Sequence, residues 1–134
     1  MRRDMDLIRD LLIEIEDGKS VYELITQEIA DILDIPDATT LPKEDVSRVE
    51  GHLKMLADAK FISLKPFGGG YWKIEDITWA GHDFIDSVRD PEIWKKTKEG
   101  ASKAGGFSAE LLKDLAKGLL KTQIEKHTGI KLGN

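Results

Sequence analysis

Apolar positions along the chain follow two periods, and the change from one to the other divides it into elements. Ile8, Leu11, Leu12 and Ile15 recur at helical spacing. Asp4 precedes them as an N-cap with Asp6 in the first turn, and Asp17-Gly18 follows, Gly18 supplying a left-handed C-terminal residue. Ser20-Val21-Tyr22-Glu23 matches a capping box. With Val21, Leu24, Ile25, Ile29, Ile32 and Leu33 continuing at helical spacing, it predicts a second helix over about 21–33, although β-branched residues leave a strand open for its first half. Ile35-Pro36 stops that helix. Residues 34–43 hold two prolines, two aspartates and two threonines and read as a loop, longer than the roughly three to four residues of a tight helix-turn-helix connection.

Residues 44–78 organise the rest. Val46, Val49, Leu53, Leu56 and Ala57 form a helical stripe, and after Lys60 the period drops to two, with Ile62 and Leu64 opposite Ser63 and Lys65. Gly68-Gly69-Gly70 allows the positive φ angles of a tight reversal, and Tyr71, Trp72 and Ile74 suit a half-buried strand. A helix running into a two-stranded ribbon is the order of a recognition helix and wing. With the stripe turned inward, Glu44, Ser47, Arg48, Gly51, Lys54, Met55 and Asp58 are expected outside. Thr78 then caps a helix carrying Ala80, Phe84 and Val88. Asp90-Pro91 starts another, which Gly105-Gly106 breaks. A last helix begins at Phe107-Ser108, with Phe107 and Leu112 placed as a staple, and carries Leu112, Leu115, Leu119, Gln123 and Ile124 on one stripe until Thr128-Gly129.

Composition narrows the class. The 134 residues carry 40% hydrophobic and 34% charged positions, which suits one soluble globular chain. No apolar run approaches the ~18 residues of a membrane span, and no apolar leader follows the N-terminus, so a cytoplasmic protein is expected. The absence of cysteine excludes disulfides, a thiol nucleophile and a thiolate metal site. The net charge of −5 is uneven: residues 95–134 hold nine lysines against four acids, while residues 1–94 hold eleven bases against twenty-one acids.

Several boxes carry a resemblance. His52-Leu53-Lys54-Met55-Leu56-Ala57-Asp58-Ala59-Lys60-Phe61-Ile62 is similar to the H-L-x-x-L-x-x-x-G-x-I pattern of winged-helix families, with Lys60 where that pattern has Gly. A left-handed backbone costs Lys more than Gly, so a different helix end is expected. Arg3-Asp4-Met5-Asp6-Leu7-Ile8-Arg9, Thr78-Trp79-Ala80-Gly81-His82-Asp83-Phe84, Gly105-Gly106-Phe107, Lys113-Asp114-Leu115-Ala116-Lys117-Gly118 and His127-Thr128-Gly129 together resemble a family of small bacterial, phage and prophage proteins catalogued as a domain of unknown function. That resemblance covers nearly the whole chain. It implies a winged-helix-like fold and a mobile-element setting, and it brings no catalytic, cofactor or metal residue with it.

The fold expected is therefore α+β, mostly α: a winged helix over residues 1–89, built of three helices and a hairpin wing, and a C-terminal helical extension over 90–134 that packs on it or on a partner. No enzyme site is visible. The serines lack a nucleophile elbow, and the glycine triplet lacks both a following helix and a G-K-[S/T]. His82 and Asp86, one turn apart, supply two metal ligands at most; a surface pair or a hydrogen bond to the hairpin explains them, and no metal or other cofactor is expected. His52 reads as a structural hydrogen-bond donor, and His127 as a cation near a helix C-terminus. Two functions remain. In one, Arg48, Lys54, Lys65 and Lys73 approach the phosphates of double-stranded DNA and the protein is a non-enzymatic regulator of phage or prophage type. In the other, Gly51, Met55, Leu112, Leu115, Leu119 and Ile124 face a protein partner or a second copy of the chain, and DNA is not bound.

Overall fold

The computed structural model describes residues 1–129. Its elements run α1 (Met5–Glu16), β1 (Val21–Glu23), α2 (Gln27–Ile32), α3 (Lys43–Asp58), β2 (Ile62–Gly68), β3 (Tyr71–Ile77), α4 (Trp79–Val88), α5 (Pro91–Ala104) and α6 (Ala109–Thr128). This is an α+β chain with one three-stranded antiparallel sheet, ordered β1-β3-β2. It divides into two compact units, Met1–His82 and the residues from Asp83 onward, and the division falls inside α4. Among the described residues, no helix is long and apolar enough to cross a membrane.

In the first unit, Asp4 caps α1 as expected, its carboxylate accepting from the amides of Asp6 at 3.0 Å and Leu7 at 3.2 Å. Met5, Ile8, Leu11, Leu12 and Ile15 are buried, the predicted stripe extended by one residue. The helix closes on Gly18, at φ +114°, with the Lys19 amide reaching back to the Glu14 carbonyl at 3.0 Å.

The helix predicted over 21–33 is corrected to a strand followed by a short helix. Val21, Tyr22 and Glu23 pair with Lys73, Trp72 and Tyr71. Flanking bonds from Ile74 N to Ser20 O and from Leu24 N to Gly70 O, both 2.8 Å, fix the register. Ser20 and Glu23 therefore do not form a capping box. The cap is Thr26, whose hydroxyl accepts from the Ile29 amide at 3.2 Å. Pairing with β3 engages one edge of the backbone of residues 20–24, Tyr22 is buried, and the break shifts the phase of everything after it. Leu24, Ile25 and Ala30 are buried, whereas Val21, Ile29, Ile32 and Leu33 of the predicted stripe are exposed.

Helix α3 carries the stripe expected of it, with Leu53 and Leu56 fully buried and Val46, Val49 and Ala57 half-buried. Its end corrects the expectation at Lys60. The chain takes the left-handed turn despite the missing glycine: Lys60 lies at φ +65°, with the Phe61 amide on the Leu56 carbonyl at 2.9 Å and the Lys60 amide on the Ala57 carbonyl at 3.0 Å. Thr78 fastens the turn. Its hydroxyl donates to the Lys60 carbonyl at 2.5 Å and accepts from the Gly81 amide at 3.1 Å, capping α4. A side chain at Gly81 would collide with the Phe61 carbonyl, so the T-W-A-G segment lies flat against the end of α3. Gly69 and Gly70, both at positive φ, make the two-residue reversal between β2 and β3.

In the second unit, Asp90 caps α5 through the amides of Glu92 and Ile93, both at 2.9 Å, with Pro91 at the first position. Gly105, at φ +87°, ends it, and Ser108 caps α6 through the Leu111 amide at 3.1 Å. Phe84, Ile85, Val88, Ile93, Trp94, Thr97, Ala101, Leu112 and Ala116 are buried. Asp83 is held by Lys113 at 3.2 Å and Lys117 at 3.3 Å.

Candidate nucleic-acid interface

The four cations singled out from sequence lie on α3 and on the β2–β3 hairpin, in two chemically different settings. On α3, both are already engaged. The Arg48 guanidinium pairs with the Asp4 carboxylate, the same group that caps α1. Lys54 pairs with Glu50 one turn away at 3.1 Å. Glu50 also accepts from the Trp72 indole N–H at 3.3 Å, and the Lys54 ammonium sits 5.4 Å from the Trp72 ring centroid. This cluster latches α3 to β3. It also leaves Arg48 and Lys54 with less charge to offer an external anion.

On the hairpin, Lys65 of β2 stands directly opposite Lys73 of β3. Both are exposed, and neither is ion-paired among the described residues. Like charges directly across a ladder are unfavourable. The Lys73 ammonium lies 5.7 Å from the ring centroid of Phe67, which projects near the turn.

Gly51 and Met55 are half-buried rather than open. A Cβ at Gly51 would come within 2.5 Å of the Met1 Cε atom, so the N-terminal segment lies along this side of α3. His52 anchors the same segment. It is fully buried, its Nε2 accepts from the Asp4 amide at 2.8 Å, and its Nδ1 lies 2.7 Å from the Arg48 carbonyl. Because an amide only donates and a carbonyl only accepts, the ring is the Nδ1–H tautomer. Sequence reading anticipated a donor and missed that the second nitrogen receives a bond from 48 residues away.

The other sites are placed as follows. His82 faces Glu16 at 3.2 Å, and Asp86 pairs with Arg89 at 2.7 Å, so His82 and Asp86 do not act together. Tyr22 donates its hydroxyl to Glu14 at 2.8 Å, and burial, reinforced by that carboxylate, pushes the phenol far above its usual range. On α6, Leu112 is fully buried, Leu115 and Leu119 are half-buried and Ile124 is 45% exposed. Of the apolar residues in that stripe, Ile124 offers the largest open surface.

Residues 2–108 match the family described as Hypothetical protein (DUF2513). The chain belongs to the DUF2513 family. The chain is also similar to an uncharacterized protein of Haemophilus influenzae, 26% identical over 132 residues, which span 92% of this chain and 99% of the relative. No solved structure matches. The DUF2513 match takes in α1 through α5 and stops at the cap of α6, so it includes all four hairpin and α3 cations.

Proposed function

We propose that residues 1–82 of this DUF2513 chain are a winged helix that engages the backbone of double-stranded DNA, and that the protein is a non-enzymatic regulator. The element order α1-β1-α2-α3-β2-β3 and the sheet order β1-β3-β2 support the winged-helix reading, with α3 as recognition helix and β2–β3 as wing. The observation that carries the DNA reading is the opposed, unpaired Lys65 and Lys73 on the wing. Two lysines are a small electrostatic handle. The first unit holds ten bases against seventeen acids, and α3's own cations are engaged by Asp4 and Glu50. Binding is therefore weak, led by the wing and strongly dependent on salt. Two neutralised phosphates give a log–log salt slope of about −2. Titration of the protein against random duplex DNA from low to moderate salt tests this; no salt-sensitive binding would remove it.

A second reading rests on the exposure of Ile124 on α6: a module that pairs with a second copy through its C-terminal helix. Light scattering distinguishes it. A mass of one chain across micromolar concentrations removes the homodimer.

A further inference from the structure

Helix α2 is turned inside out. It buries only Ala30, while Ile29, Ile32 and Leu33 (38%, 70% and 48% exposed) share one face at i, i+3 and i+4. A six-residue helix is too short to be stable by propensity, and an amphipathic one ordinarily hides its apolar face. Here the apolar side chains point to solvent, and the patch extends to the wing turn, where the Leu33 Cδ1 atom reaches to 3.4 Å of the Cβ position at Gly69. Contiguous exposed apolar surface of this kind marks an interaction site.

The charges around the patch select the occupant. Glu28, Asp31 and Asp34 flank it, and no cation pairs with any of them among the described residues. Nucleic acid and anionic lipid are repelled by that border. We propose that the α2 face is a docking surface for a basic amphipathic helix of a partner protein, whose apolar stripe covers Ile29, Ile32 and Leu33 while its lysines or arginines meet the three carboxylates. This surface is separate from the Lys65–Lys73 pair and does not depend on DNA being bound.

The test is a nitrogen-15 NMR titration of the full chain with a synthetic 14-residue peptide of alternating Leu and Lys at helical spacing. Two control peptides accompany it: one with every Lys replaced by Glu, and one with the same composition scrambled out of amphipathic order. The expected result is saturable shifts confined to residues 28–34 and Gly69. The Ile32→Ser/Leu33→Ser double variant weakens binding at least about tenfold, and Glu28→Lys/Asp31→Lys at least about fivefold. Both changes lie on exposed positions, and the charge variant decides alone if the serine variant fails to fold. The proposal is overturned by no binding, by shifts elsewhere, by equal binding of either control peptide, or by variants that bind undiminished. A wild-type dimer that Ile32→Ser/Leu33→Ser dissolves would also overturn it, since the occupant would then be a second copy.

Discussion

The His52 imidazole has no exposed surface and spends both nitrogens, accepting from the Asp4 amide and donating to the Arg48 carbonyl. Replacing it with Leu keeps the volume roughly constant but strands the Asp4 amide. Leaving a buried donor unsatisfied costs about 1–3 kcal/mol. His52→Leu should lower the urea midpoint accordingly with an unchanged m value, and an unaltered midpoint would show the Asp4 amide to be hydrated. Lys60 tests the opposite direction. A non-glycine residue in the left-handed region costs roughly 1–2 kcal/mol, so Lys60→Gly should raise stability by about 1 kcal/mol net of glycine's extra chain entropy, while Lys60→Ala should not. At this scale the sequence was informative about identity and blind to environment. It marked Lys60 as the departure from the expected glycine, but that the turn forms anyway depends on Thr78, eighteen residues on. His52 could be assigned to α3 from spacing, yet its burial depends on the N-terminal segment folding back over it.

Among elements, β1 is where the local signal and the fold part company. Ser20–Glu23 satisfies a capping-box pattern, but Tyr22 fits a sheet and a buried pocket beside Glu14, and pairing with β3 wins. Tyr22→Phe removes the hydroxyl from the Glu14 carboxylate and should cost about 1 kcal/mol in thermal or urea unfolding; no change would mean that water replaces the bond without penalty. Helices α1 and α5, with side-chain caps, and α3, with an unbroken apolar stripe, were legible because those signals are local. The exposed face of α2 was not, because the phase of its stripe depends on where β1 ends. In the second unit, hydrogen bonding from Lys113 holds the Asp83 carboxyl below its usual range against the opposing effect of burial, with Lys117 adding in the same direction as Lys113. A carboxyl whose value falls on folding adds stability above its unfolded value of about 3.9 and loses it as pH drops through the lowered folded value. Asp83→Asn should therefore be less stable than the parent at pH 6, by at most about 1 kcal/mol because the group is a third exposed. The gap should close as the pH falls below about 4; a constant gap would assign the loss to packing instead.

For the whole molecule, charge decides what the surfaces can do. The acidic balance of residues 1–82 opposes nucleic acid, and on the hairpin Lys65 and Lys73 stand opposite each other without an ion pair among the described residues. Sequence singled out all four candidate cations, and within α3 it set Arg48 and Lys54 against Glu44 and Asp58, whereas the partners they meet are Asp4 and Glu50. Asp4 is distant in sequence from Arg48, and the role of Glu50 depends on Trp72 arriving from β3. Only the folded chain divides the cations into an ion-paired couple on α3 and a couple on the hairpin with no ion pair among the described residues. The most direct measurement is the salt dependence of binding to random duplex DNA for the parent and for Lys65→Ala/Lys73→Ala, with circular dichroism confirming the fold of both. The parent should bind with a log–log slope of about −2, and the double variant should lose both the binding and the slope. A parent that binds no DNA at low salt, or a double variant that binds with an unchanged slope, would contradict the account.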